Sequence, residues 1–377
     1  LGRLVNLFVS SFGLYYFYKL IKDVINNSVA FNATIVLTVS IWFAFSRKIM
    51  PDTFSVSIVI IGLYYAYDFF KNGLKSSLIK FFVFSTLGML CKIPALSLFS
   101  VLSISIFIKE INLRRKIELY LVGTFGFLIV CLWYFYWVPY LVETFHYQLY
   151  FTKGIVEGIH EITPLIPELL EKFYFSALQS YIALICFFAG IILIIKNNHK
   201  YIMYGVGVIF SVFLLFIMKT GAVFPLHNYY IIPFTPIMAL MAGYAINQIP
   251  LKFQYMLLIL IAIEGIANQQ HDFHIKESQL YKLKLDQLTD KYIPRKDLII
   301  INGGPSPQDI YFSHRKGWTV DNIHVMNPVF VDSLISLGAK HLIIDKSRIG
   351  KYVARHELLH TDNHYSIYKL KKPVKIQ

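Results

Sequence analysis

Arg47-Lys48-Ile49-Met50-Pro51-Asp52 stands between two apolar runs, residues 29–46 and 53–70, and the reading of these three pieces decides the fold. Each run approaches the roughly 20 residues that a helix needs to cross a bilayer core. The hexapeptide is then a turn at one bilayer face that carries two cations and a carboxylate. Charged side chains near hydrocarbon are costly and are kept for a substrate, an ion or a partner. The same residues also admit a plain structural reading. In it Arg47 and Lys48 snorkel as interfacial anchors, and Asp52 sits in the first turn of the next helix, where the helix dipole favours an acid.

Composition agrees with a membrane location. The 377 residues are 56% hydrophobic, 16% aromatic and only 15% charged, far more apolar than a soluble domain of that size. The formal charge of +14 raises nucleic acid as a partner, but the Lys and Arg are scattered between apolar runs and form no basic stripe. Topology explains them better, and nucleic acid is set aside. The three cysteines, Cys91, Cys131 and Cys186, fall inside apolar stretches, so they offer neither a disulfide framework nor a paired-cysteine metal site.

Apolar runs at 4–18, 29–46, 53–70, 78–91, 94–108, 117–138, 173–195, 201–218, 230–248 and 252–268 are ten candidate spans. Runs 78–91 and 94–108 are separated by Lys92-Ile93-Pro94, where proline lacks the N–H of a continuing helix and turns the preceding residue away from helical geometry. With ten spans, twelve Lys and Arg fall in one set of loops, concentrated at 19–22, 71–80 and 109–116, and seven in the other. The richer set is expected to be cytoplasmic. Reading 78–108 as one helix makes the asymmetry largely disappear. Arg47–Asp52, Lys92, the segment 139–172 and the loop Lys219–Tyr229 then share the non-cytoplasmic face.

The organisation expected is a transmembrane domain over 1–269 and a soluble α/β domain over 270–377 facing outward. In the latter, helical spacing at 276–291 precedes a strand at 298–302, the turn Gly303-Gly304-Pro305-Ser306-Pro307 and a helix N-capped by Ser306 with Pro307 as its first residue. A helix at 328–337 ending at Gly338, a strand at 341–345, a helix at about 347–359 and a strand at 365–370 complete it. His356-Glu357-Leu358-Leu359-His360 has the spacing of zinc proteases, but only Asp362 and His364 follow as further ligands, and a chance match is the better reading. Gly303-Gly304 lacks phosphate-loop spacing and reads as an ordinary strand-to-helix turn. His271 and His274, beyond the last span, read as polar interface, and Asp68, Lys71 and Lys75 as a helix-end charge series.

Pro225-Leu226-His227-Asn228-Tyr229-Tyr230 precedes a span interrupted by Pro233 and Pro236. Tyrosines at a helix mouth commonly form the interfacial belt, yet here they meet a histidine and an asparagine on the face that also holds Asp52 and Lys92. That group suits sugar hydroxyls or a phosphate.

Three of these pieces, in order, resemble the dolichyl-phosphate-mannose protein mannosyltransferases of glycosyltransferase family 39 and their bacterial aminoarabinose-transferase-like relatives. Ser46-Arg47-Lys48-Ile49-Met50-Pro51-Asp52 is similar to the family's S-R-x-x-x-P-D, Leu90-Cys91-Lys92-Ile93-Pro94-Ala95 to its L-x-K-x-P-A, and His227-Asn228-Tyr229-Tyr230-Ile231-Ile232-Pro233 to its R/H-x-Y-x-L-P. The run Ile310–Trp318 also resembles bacterial members.

The resemblance implies a mainly α, polytopic transmembrane helical bundle of GT-C type with a small C-terminal α/β extracytoplasmic domain. It also implies inverting transfer of a hexose or pentose from a polyprenyl-phosphate carrier to a lipid, glycan or protein acceptor outside the cytoplasm, in a bacterial inner membrane. Lys92, and after it Arg47, would hold the carrier phosphate beside Lys48. Asp52 would be the active-site carboxylate orienting the acceptor or a divalent metal ion, and His227, Tyr229 and Tyr230 would line the pocket.

The family's base is an aspartate in the first outer loop, usually followed by glutamate, and no such pair precedes residue 19. The chain is therefore expected to be an N-terminally truncated fragment whose base lies upstream of Leu1. A secondary transporter, suggested by the break at Pro94, and a catalytically inactive membrane scaffold are the alternatives.

Overall fold

The computed structural model describes residues 2–146, 153–349, 352 and 355–371. They form two units, residues 1–272 and 273–377. The first is helical. α1 (Gly2–Val24), α2 (Asn27–Val39), α3 (Ile41–Ser46), α4 (Pro51–Asn72) and α5 (Lys75–Cys91) lead into a mainly 3-10 stretch over 93–106 that contains the single α-turn α6 (Leu96–Phe99). α7 (Leu113–Leu132) continues through a π-helical turn, Trp133–Trp137, into α8 (Val138–Phe145). α9 (Ile155–Ile162), α10 (Ile166–Glu171), α11 (Tyr181–Lys196), α12 (Lys200–Thr220), α13 (Val223–Leu226), α14 (Thr235–Ile246) and α15 (Leu251–Asn268) follow.

Among the described residues, five helical stretches are long and apolar enough to cross a bilayer: α1, α4, α7 with α8, α12 and α15. There are six if the bent pair 155–176 and 181–196 counts as one. The protein is thus a multi-pass membrane protein, and the ten apolar runs fall on its helical segments, though not as ten plain helices. Run 29–46 is interrupted at Ser40, whose Oγ donates to Leu37 O at 2.7 Å and accepts from Trp42 N at 3.2 Å. Run 94–108 is mostly 3-10, and run 230–248 yields an α-helix only from Thr235.

Backbone groups freed at such breaks need partners inside a membrane. Buried Gln269 supplies them at Ser40, donating to Val39 O at 2.9 Å and accepting from Ala44 N at 3.2 Å.

Helix α14 is the packing centre, its side chains almost all buried between α2 and α11. Missing side chains let the backbones approach. A Cβ on Gly190 would stand 1.9 Å from Met241 O, and one on Gly243 would stand 2.4 Å from Ala33 N. This is the small-residue packing that holds helices together where lipid gives no hydrophobic drive.

The second unit carries a 3-10 stretch, Glu277–Lys284, then α16 (Leu285–Tyr292), β1 (Leu298–Ile301), α17 (Gln308–Phe312), β2 (Gly317–Thr319), α18 (Asn322–Met326), α19 (Pro328–Ser336), β3 (Ala339–Asp345), β4 (Glu357–Thr361) and β5 (Tyr365–Lys369). The sheet runs β2-β1-β3-β5-β4, with β1 parallel to both its neighbours and β5 antiparallel to β3 and β4. Ile300, Leu342 and Ile344 bury one face, and Ile299, Ile301, Ile343 and Ile367 the other. Burial on both faces explains why these strands read as continuous apolar runs.

Of the helix expected at about 347–359, residues 350, 351, 353 and 354 lie outside the described residues, and its end is not helical. Residues 357–361 are β4, an edge strand paired with β5. His356 and His360 therefore lack the one-turn helical spacing that the zinc-protease pattern requires. The helix after the glycine turn starts one residue later than expected, with Pro307 as its cap and Ser306 Oγ accepting from Gln308 N at 3.4 Å.

Candidate active site at the Asp52–Lys92 junction

The start of α4 and the end of α5 meet, and each end is set by a proline. Met50 is extended (φ −138°, ψ 144°), Pro51 is the first helical residue and Asp52 lies in the first turn. Lys92 ends α5 in an extended conformation (φ −160°, ψ 117°) two residues before Pro94. Ser55 ties the two together, its Oγ lying 2.7 Å from Gly88 O and 3.1 Å from Lys92 O. The absence of a side chain at Gly88 permits the approach, since a Cβ there would meet Ser55 O at 3.0 Å.

This geometry points Lys92 Nζ at Asp52 Oδ1 in a hydrogen-bonded ion pair. The Asp52 side chain is 2% exposed and that of Lys92 22%. Among the described residues Asp52 Oδ2 has no hydrogen-bond partner. A buried carboxylate with one oxygen unmatched is costly to keep.

The aromatic motif closes over the cation. Lys92 Nζ lies 4.5 Å from the Tyr229 ring centre and 5.1 Å from that of Tyr230, within the range where ring quadrupoles attract an ammonium. His227 stacks on Tyr229 at 5.0 Å and meets Tyr230 edge-on at 5.5 Å. Phe45 packs edgewise on Tyr229 at 5.9 Å.

Asp52, Lys92, His227, Tyr229 and Tyr230 are therefore brought together from three separate stretches. Arg47 and Lys48 have partners along and beyond α3. Arg47 Nε donates to Phe43 O at 3.0 Å, and its guanidinium lies 4.5 Å from the Phe43 ring centre. Lys48 pairs with Asp272 at 3.0 Å and lies 4.2 Å from the Phe45 ring centre. Both are drawn back along α3 because its last turn offers a carbonyl and two aromatic faces.

Several contributors carry no motif. Buried Asn6 of α1 fixes the 46–50 turn, donating to Phe45 O at 3.0 Å and Lys48 O at 2.7 Å. Lys172, 6% exposed in a π-helical turn, donates to Asn228 Oδ1 at 2.6 Å and so anchors the residue after His227. Glu264 of α15 caps α11, accepting from Ser180 Oγ and, at 3.0 Å, from Tyr181 N. The charge of Lys172 directly before the apolar run 173–195 was a signal available in the sequence; the partners of Asn6 and Glu264 were not.

Lys92 has three N–H donors, and Asp52 takes one. The others can bind an oxyanion in a site where low dielectric strengthens the contact. As for a divalent ion, the described residues contain no group of three or more His, Cys, Asp or Glu placed to hold one.

The architecture is a known one. The chain shares the GT-C fold of ArnT from Cupriavidus metallidurans: the apo structure superposes with TM-score 0.62 at 8% identity, covering 97% of this chain and 83% of that one. The same enzyme bound to undecaprenyl phosphate gives TM-score 0.62 at 9% identity, with 98% and 83% covered. The Archaeoglobus fulgidus oligosaccharyltransferase, in complex with zinc and sulfate, gives 0.56 at 11% identity, with 91% and 56% covered. Within that fold, residues 2–137 match the dolichyl-phosphate-mannose-protein mannosyltransferase family. The matched segment includes Asp52 and Lys92 but ends before His227. No curated protein sequence matches the chain.

Proposed function

We propose that this protein is a membrane glycosyltransferase that moves a hexose or pentose from a polyprenyl-phosphate carrier to a lipid, glycan or protein acceptor, with inversion. The observation that carries the reading is the buried Asp52–Lys92 pair roofed by Tyr229 and Tyr230. The match of residues 2–137 and the undecaprenyl phosphate held by ArnT support it.

In this reading the acceptor oxygen attacks the anomeric carbon from the side opposite the phosphate. The sugar–phosphate bond breaks, and its electron pair stays on the carrier. Lys92 binds that phosphate and stabilises the charge it gains, the contact that strengthens most in the transition state. Asp52 holds Lys92 in register and orients the acceptor through Oδ2, while His227, Tyr229 and Tyr230 wall the sugar. The acceptor proton passes to a general base within hydrogen-bond reach. The resemblance gives that role to an aspartate of a first outer loop, and Asp52 is not that residue.

The same reading has this face and the sheet-bearing unit outside the cytoplasm, in a bacterial inner membrane, and the charge asymmetry of the loops supports that orientation.

The test is a transfer assay on protein purified from its native membrane, with a panel of polyprenyl-phosphate sugars. Transfer from at least one donor is expected, and it should be lost in Lys92→Ala. No transfer from any donor sinks the assignment, and full activity of folded Lys92→Ala removes Lys92 from the mechanism.

A further inference from the structure

At the end of the bundle opposite Asp52 and Lys92, the chain passes from the 93–106 stretch into α7 through a strongly basic corner. Residues 109–116 contain Lys109, Arg114, Arg115 and Lys116 against the single acid Glu110. Nearby Glu118 is already shared by Lys75 at 2.6 Å and Arg114 at 3.1 Å. Arg115 turns inward and closes the end of α4, donating to Phe70 O and Lys71 O, each at 2.8 Å. Lys109 and Arg114 stay exposed.

From this corner a groove of about 500 Å³ runs along α7. Its walls include Leu113, Ile117, Leu121 and Phe125, which are 70%, 51%, 67% and 59% exposed. Its floor is sealed by Tyr120, whose hydroxyl lies 2.7 Å from Leu102 O and 2.8 Å from Ser105 Oγ. Lys116 lines the groove, donating to Ile108 O at 2.6 Å and Ile106 O at 3.2 Å, and its third N–H is left for another acceptor.

We propose that this groove is a binding site for an anionic phospholipid of the leaflet on that side, with one acyl chain along α7 and the phosphate at Lys116, which lines the groove, beside the exposed Lys109 of the basic corner. The apolar walls alone would accept any lipid. The local excess of cations selects a negative headgroup, as basic corners beside membrane helices do, and the volume lies in the range of small-molecule sites. The site is separate from the sugar-transfer reading and stands or falls without it.

The test is native mass spectrometry of the full chain released from vesicles, titrated with phosphatidylglycerol, phosphatidylethanolamine or polyprenyl phosphate. Phosphatidylglycerol is expected to stay bound. Lys116→Gln should weaken it about fivefold, the effect of removing one surface cation. Lys116 also braces two carbonyls, so Thr124→Trp, which fills the groove from the exposed face of α7, serves as the second variant and should lower lipid occupancy with helicity unchanged. Equal retention of phosphatidylethanolamine, retention of polyprenyl phosphate alone, or unchanged phosphatidylglycerol binding in Thr124→Trp would overturn the proposal.

Discussion

Replacing Lys92 by methionine keeps most of the side-chain volume and removes the ion pair with Asp52. The carboxylate, 2% exposed in its side chain, then loses the cation that neutralises it. Breaking a buried ion pair from one side costs about 3–5 kcal/mol, because the orphaned charge stays in low dielectric. Replacing both members is much less costly, since no bare charge remains, so Asp52→Asn with Lys92→Met should lose less than Lys92→Met alone. The two sites should therefore couple by about 2–3 kcal/mol. Denaturant titration of the four species in lipid–detergent micelles, followed by circular dichroism, measures the cycle. Single losses that simply add, within about 0.5 kcal/mol, would refute a buried, mutually dependent pair and return Asp52 to a plain first-turn acid.

Other expectations concern the scaffold. Gln269→Ala removes the bonds to Val39 O, Gly265 O and Ala44 N and should destabilise the helical unit by about 1–3 kcal/mol, read in the same micelle titration. Gly190→Ala puts a Cβ 1.9 Å from Met241 O and should sharply reduce recovery of folded protein. Gly207→Ala, which meets nothing within 4 Å, should be neutral or stabilising by up to about 1 kcal/mol; size-exclusion profiles of the two variants make the comparison.

In the sheet-bearing unit, burial lowers the pKa of His341 below its ordinary value despite Asp297. The folded state therefore favours the neutral ring, and stability present above about pH 6.5 is lost as pH falls and the unfolded chain takes up the proton. Protection of the 339–345 peptide, its exchange rate taken relative to the intrinsic rate at each pH, should fall between pH 7 and 5, and less so in His341→Gln; identical profiles would exclude the histidine.

The membrane class and the pieces of the site were legible because hydrophobic run length and proline breaks are local signals. Pro51 and Pro94 mark the ends that carry Asp52 and Lys92, and the approach of those ends follows from α4 and α5 being consecutive helices. What local sequence did not reveal was pairing. Arg47 and Lys48 lie five and four residues from Asp52, yet Arg47 donates back to Phe43 O and Lys48 pairs with Asp272 in a remote segment. The break at Ser40 was hidden because serine is tolerated inside a membrane helix, and only Gln269, far along the chain, stabilises the interruption. In the second unit, 357–361 has the composition of a helix end, but pairing with β5 overrides that propensity.

Binding of polyprenyl phosphate to wild-type protein and to Lys92→Ala, both confirmed as folded, is the most direct measurement of whether this site holds the carrier headgroup. A charged hydrogen bond to the phosphate contributes about 1.5–3 kcal/mol, so Lys92→Ala should bind at least tenfold more weakly. Equal affinity of the two proteins would contradict the assignment of the Asp52–Lys92 junction as the carrier phosphate site.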